Sequence, residues 1–211
     1  MKKVLFLSLA VIFSLNVTAQ TKGDLEFGFH LGGNLSTIST FDNYDSASSR
    51  FSFNTGGFLD FYFNEQWSIL LKAQYDEKGW NNGFYEDENF NTFDTDYSLN
   101  YITTPLMANF HFGRNYNWFI NFGPYVGFLV DAKALDVDVE VKDAFNSTDF
   151  GIALGMGVKV PVSDKAKILF EYQAQSGFAE IFDVNDGETI RNGRSSLNVG
   201  IVFLLSTANV K

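Results

Sequence analysis

The sequence predicts an all-β fold, an eight-stranded antiparallel up-and-down barrel of the transmembrane kind. Three observations carry that expectation. Large apolar residues alternate with small or polar ones along eight stretches, the links between stretches alternate short and long, and aromatic residues gather in two bands about a strand length apart. Successive side chains on a strand point to opposite faces, so each alternating stretch is a strand with one greasy face and one small or polar face.

Residues 1–19 stand apart from this pattern. Met1-Lys2-Lys3 is a basic start, Val4 to Leu15 is an apolar run, and Val17-Thr18-Ala19 supplies small residues at the spacing a signal peptidase reads. That order predicts a secretory signal peptide over 1–19, cleaved before Gln20, with a barrel domain over 20–211. The chain contains no Cys, so the exported domain holds together without disulfides. Its net charge is −10 overall and −12 once Lys2 and Lys3 are removed, which excludes nucleic acid as a partner because phosphate binding needs the opposite sign.

The strands follow in order. Leu25, Phe27, Phe29, Leu31 and Leu35 interleave with Glu26, Gly28, His30, Gly32 and Asn34. Phe51 to Phe63, Trp67 to Asp76, Tyr101 to Phe112 and Trp118 to Asp131 alternate likewise. Phe150 to Val160 and Ile168 to Gln175 form a hairpin about Ser163-Asp164-Lys165, and Leu197 to Phe203 makes the eighth strand. Each is about as long as a tilted membrane-spanning strand requires.

Links at Asn64-Glu65-Gln66, Gly113 to Asn117 and Ser163-Asp164-Lys165 are short, whereas 40–49, 79–98, 132–148 and 180–194 are long and polar. Short turns on one rim and long loops on the other are the pattern of bacterial outer-membrane barrels, with the short turns periplasmic. An even strand number returns both ends of the chain to the short-turn side. Phe63, Trp67, Phe112, Tyr116 and Trp118 flank the short turns, and Tyr75, Trp80, Tyr97 and Tyr101 lie near the long loops, as expected of two interfacial girdles.

A soluble barrel would turn its apolar face inward around a greasy ligand. In this chain the opposite face is rich in Gly and Ala with scattered charges, which suits an eight-stranded interior just wide enough for side chains to fill. A solvated face would be poorly served by Gly, which weakens strands without packing anything. The apolar face is therefore expected to meet lipid.

Several segments carry a family resemblance: Phe29-His30-Leu31-Gly32-Gly33-Asn34, Gly56-Gly57-Phe58, Leu99-Asn100-Tyr101 through Pro105-Leu106, Asn121-Phe122-Gly123-Pro124-Tyr125-Val126-Gly127, and Asp149-Phe150-Gly151 with Gly155-Met156-Gly157. Over essentially the whole exported chain the sequence resembles the small outer-membrane β-barrel family of the Bacteroidetes, the PorT-like group. Thr104 stands where that pattern has an aliphatic residue, and the chain runs past Phe203 to Lys211. The resemblance implies an outer-membrane location, insertion by barrel-assembly machinery, and a part in a secretion, gliding or other envelope complex.

Candidate chemistry is sparse. The inward register places His30, Asp60, Lys72, Asp76, His111, Asp131, Lys159 and Glu171 in the lumen, where the acids, Glu26 among them, should pair with Lys72 and Lys159 because unpaired buried charge is costly. His30 and His111 should share a lower layer, in an interior hydrogen-bond network. Nothing near either supplies the nucleophile and acid of a hydrolase, so no catalytic residue, cofactor or enzymatic activity is expected. Glu86, Asp87, Glu88, Asp94 and Asp96 form an acidic loop without a base, a weak candidate for divalent cations that lacks ligand spacing and is expected to be solvated. Two functions fit: a structural, adhesive or envelope-complex barrel, and a narrow channel for ions or small solutes.

Overall fold

The computed structural model describes residues 22–39, 47–87, 89–185 and 187–206; the expected signal segment and Glu88 lie outside them. Eight long strands form the wall: β1 Leu25–Ser39, β2 Ser48–Tyr62, β3 Trp67–Glu86, β4 Thr92–Phe112, β5 Trp118–Ala134, β7 Thr148–Pro161, β8 Ala166–Gly177 and β9 Arg191–Ser206. A two-residue strand, β6 Val139–Glu140, lies against the end of β5. Each wall strand pairs antiparallel with its neighbour, β4 joins β5, and β1 pairs with β9 from Leu25↔Ser206 to Ser39↔Arg191, so the sheet closes. Closure removes free edges, the condition for a sheet to stand in hydrocarbon, where nothing else can satisfy backbone groups.

Alternation assigns the two faces. Phe29, Leu31, Phe53, Leu71, Ile102, Phe122, Leu154 and Val199 point outward and are exposed, while Asn34, Asn54, Lys72, Asn109, Asn121, Glu171 and Asn198 point inward and are buried. On β3 the outward face stays apolar from Trp67 to Tyr75 and turns polar at Glu77, about ten residues, the length a tilted spanning strand needs. Pro105 and Pro124 both fall inside wall strands, where each lacks a ladder donor. The β3–β4 pairing accordingly skips from Leu71↔Leu106 to Gln74↔Thr103, and β4–β5 from Pro105↔Tyr125 to Ala108↔Phe122.

Two expectations need correction. The segment 79–98 is not a loop: β3 and β4 run on as a hairpin pairing Gly83↔Thr95 through Glu86↔Thr92, leaving only the turn about Asp87 to Asn91. Its Trp, Tyr, Phe and Thr residues favour strand although the segment is acidic. The second aromatic band also differs. Tyr75 faces outward, but Trp80, Tyr97 and Tyr101 are buried on the inner face. Among the lower aromatics, Phe63, Trp67, Phe112 and Trp118 are exposed on the outer face beside the short turns.

Candidate functional site

The inward face of the wall carries five cations, Lys72, Lys78, Lys159, Lys167 and Arg194, each within ion-pair distance of one or more of the carboxylates Glu26, Asp60, Asp76, Asp149 and Glu171. Period two puts them there: every second residue of β3 from Ser68 to Lys78 points inward, as does every second residue of β7 from Asp149 to Lys159. Each of these five carboxylates thus has a cation within reach, which is what burial at low dielectric demands.

Three clusters stack along the barrel. In the lower one, Lys159 Nζ donates to Glu26 Oε2 at 2.6 Å, Asp60 Oδ2 at 2.7 Å and the Tyr62 hydroxyl at 3.0 Å. Lys167 Nζ reaches Glu26 Oε1 at 2.6 Å, and Asn109 donates to Asp60 at 3.0 Å. His111 borders this cluster, with Nε2 2.9 Å from Ser68 Oγ and 3.8 Å from Asp60.

In the middle, Lys72 Nζ bonds both oxygens of Glu171 at 2.8 and 2.6 Å, and Asn121 and Asn198 donate to the same carboxylate. Asn54 links this group to Asn34 at 2.6 Å, and Arg194 joins Asn34, Gln173, Ser196 and Asp76 above it. Nearest the surface, Lys78 Nζ donates to Asp149 at 2.8 Å and sits 4.7 Å from the centre of the Tyr125 ring, a cation–π contact.

The expected lumen residues thus fall into different layers. Asp60, His111 and Lys159 come together below, Lys72 and Glu171 in the middle, and Asp76 with Arg194 above. His30 and His111 do not share a cluster: His30 is buried 6.2 Å from the Phe58 ring with neither ring nitrogen hydrogen-bonded to a described residue. Gly200 lies opposite it on β9, where a Cβ would first collide with the Phe29 carbonyl oxygen.

Asp131 leaves the set. Pairing shifts from Tyr101↔Leu129 to Asn100↔Asp131, so β5 carries one extra residue there. The bulge turns Asp131 off the lumen to half-burial beside Asn100, 3.2 Å away, and Ala132 takes the inward position. Lys78, Asp149, Arg194 and Lys167 were missed by sequence reasoning. Extending the same alternation one or two residues along β3, β7 and β9 would have found three of them.

Apolar packing completes the plug. Phe58, Leu70, Met107, Phe119, Tyr125, Leu169 and Val202 form one buried cluster within the lumen. Where Phe58, Leu70, Phe119 and Leu169 of this cluster meet Asp60, Lys72, Lys159 and Glu171, a void of about 10 Å³ remains, roughly the space one water needs. A second cluster closes the loop end: Trp80 stacks on Tyr97 at 4.6 Å, and Phe145 on Phe182 at 5.0 Å, with Leu99, Leu129, Ile181 and Ile190 around them. Two side chains fix the loops that bring Phe145 and Phe182 together. Asn146 donates to the carbonyls of Glu180 and Phe182, and the Glu180 carboxylate accepts from the backbone of Phe182 and Ile190 and the side chain of Asn185.

The described acidic candidates, Glu86, Asp87, Asp94 and Asp96, do not converge. Glu86 pairs opposite Thr92 and Asp94 opposite Phe84, Asp87 accepts from Asn89 and Asn91, and Asp96 accepts from the backbone of Asn82. Among the described residues no three His, Cys, Asp or Glu side chains are grouped to hold a metal ion.

A closed antiparallel ring with a lipid-facing apolar wall, a polar filled lumen and unequal rims defines an outer-membrane β-barrel protein. The chain belongs to the outer membrane protein beta-barrel domain family, whose profile matches residues 18–183. Solved barrels share the fold at low identity. OprG of Pseudomonas aeruginosa matches at TM-score 0.57 and 10% identity over 91% of this chain and all of that one. AlkL, determined by solid-state NMR in DMPC bilayers, matches at 0.54 and 9% over 94% and 98%. Neisserial surface protein A matches at 0.50 and 14% over 85% and 97%. Curated proteins gave no match. The protein is located in the outer membrane, with its apolar wall in lipid.

Proposed function

We propose that this barrel is a non-conducting, non-enzymatic scaffold that works through its surface hairpin and loops, as a structural or adhesive element or as part of an envelope complex. The filled lumen carries this reading. Buried ion pairs, an apolar cluster and the aromatic cap occupy the path from rim to rim, and the void among Asp60, Lys72, Lys159 and Glu171 has room for about one water. A hydrated ion would have to break several charge-assisted hydrogen bonds to pass.

Purified protein in planar bilayers is expected to give no steady single-channel conductance, and reproducible ohmic openings would replace this reading with a narrow channel. The resemblance to PorT-like barrels supports a place in a secretion or gliding apparatus, for which co-purification with a large envelope complex is the test. Export with cleavage before Gln20 is part of the proposal, and the mature N-terminus should read Gln20-Thr21-Lys22. Hydrolysis of lipid or peptide that disappears in His30→Ala or His111→Ala would overturn the non-enzymatic assignment.

A further inference from the structure

The β3–β4 hairpin continues well beyond the wall. From Glu77, where the outward face turns polar, to Glu86 the strand extends nine residues, about 30 Å along its axis. Its turn is tightly built: the Asp87 carboxylate accepts from the backbone of Asn89 and Asn91 and from the Asn91 side chain, while Phe90 N–H donates to Asp87 O. At this turn Phe90 has φ of +64° and is 83% exposed.

Both properties are unfavourable. The left-handed region suits Gly or Asn, and a bulky residue held there is strained. A Phe ring in water also forgoes the free energy of burial. Phe93 is exposed nearby, near the base of the turn. The rest of the hairpin is acidic: its described residues between 79 and 98 include Glu86, Asp87, Asp94 and Asp96 and no Lys or Arg.

We propose that Phe90 is the anchor of a docking surface for a protein segment that combines apolar side chains with Lys or Arg. Aromatic side chains are enriched among interface hot spots, and such a ring needs an apolar recess to fill. The acidic flanks fix the sign of the partner, since complementary charge steers encounter and like charge excludes it. A second copy of the hairpin, equally acidic, would be repelled. The inference rests on the reading of the barrel as a scaffold working through its surface, but its test is independent of whether the lumen conducts.

The full chain in nanodiscs of zwitterionic lipid would be titrated with a short alternating Lys–Leu peptide and with its Glu–Leu counterpart, empty nanodiscs serving as the blank. The Lys–Leu peptide should bind, weaken as salt is raised, and lose at least about tenfold in affinity in Phe90→Asn. Because Asn tolerates positive φ, that variant keeps the turn, which a heat-modifiability gel shift and unchanged amide shifts at Asn89 would verify. Val184→Ser, which removes another exposed apolar side chain, should leave binding unchanged. Equal binding of the Glu–Leu peptide, unchanged affinity in Phe90→Asn, or self-association of the protein in place of peptide binding would overturn the assignment.

Discussion

Replacing Lys159 with Met tests the lumen network most directly. Lys159 is buried and bonds Glu26, Asp60 and Tyr62 within 3.0 Å. Met keeps most of the apolar stem and removes the charge. Glu26 retains Lys167 at 2.6 Å, but Asp60 is left with Asn109 and with His111 at 3.8 Å. One carboxylate thus loses its main counter-ion inside the barrel. Breaking a buried pair in this way costs about 3–5 kcal/mol, and the surviving Lys167–Glu26 pair places the expectation near the lower end.

The assay is urea unfolding in phospholipid vesicles, followed by tryptophan fluorescence and by the heat-modifiable gel shift. Adding Asp60→Asn should recover most of the loss, because the orphaned charge is removed with its partner. The exposed Lys133→Met is expected to stay within about 0.5 kcal/mol. A loss below about 1 kcal/mol for Lys159→Met, or a double variant no more stable than the single one, would refute the claim that this cluster is buried and coupled.

Two further outcomes follow from the wall and the hairpin. Leu154 lies in the middle of β7, paired with Phe122 on the outer face and 53% exposed, so Leu154→Arg should cost about 2–4 kcal/mol in bilayers; a neutral result would take that face out of lipid. At the hairpin tip, the Asn91 side chain and the backbone of Asn91 and Asn89 hold the Asp87 carboxyl below its ordinary 3.8. A depressed pKa stabilises the turn above the unfolded value and loses that contribution as pH falls through the folded one. The amide shifts of Asn89 and Asn91 should therefore titrate with a midpoint below 3.8, a step absent in Asp87→Asn; a midpoint above 3.8 would contradict it.

Much of the wall was legible in the sequence because period two is written into it. Phe29 against His30, Leu71 against Lys72, and Phe170 against Glu171 separate an apolar from a polar face without reference to any distant residue. The loop-end aromatics were less legible. Trp80 and Tyr97 look like members of an interfacial girdle until Phe145 and Phe182, from two remote loops, are seen to cover them. Asp131 was misplaced for a local reason, since a bulge changes the phase of a strand without leaving a mark in its hydrophobic pattern. Alternation also sets which face a charge takes but not its partner: Lys72 meets Glu171, 99 residues away, only when the ring closes.

The sequence by itself therefore determined the strands, their two faces and the unequal rims, because each depends on neighbours along the chain. Tertiary structure alone decided the layering of the ion pairs, the closure of the mouth by an aromatic cap, and the conversion of an apparent acidic loop into a long hairpin with Phe90 at its tip. Those features depend on register between strands and on contacts between loops far apart in the chain, and neither is encoded in the period of any single segment.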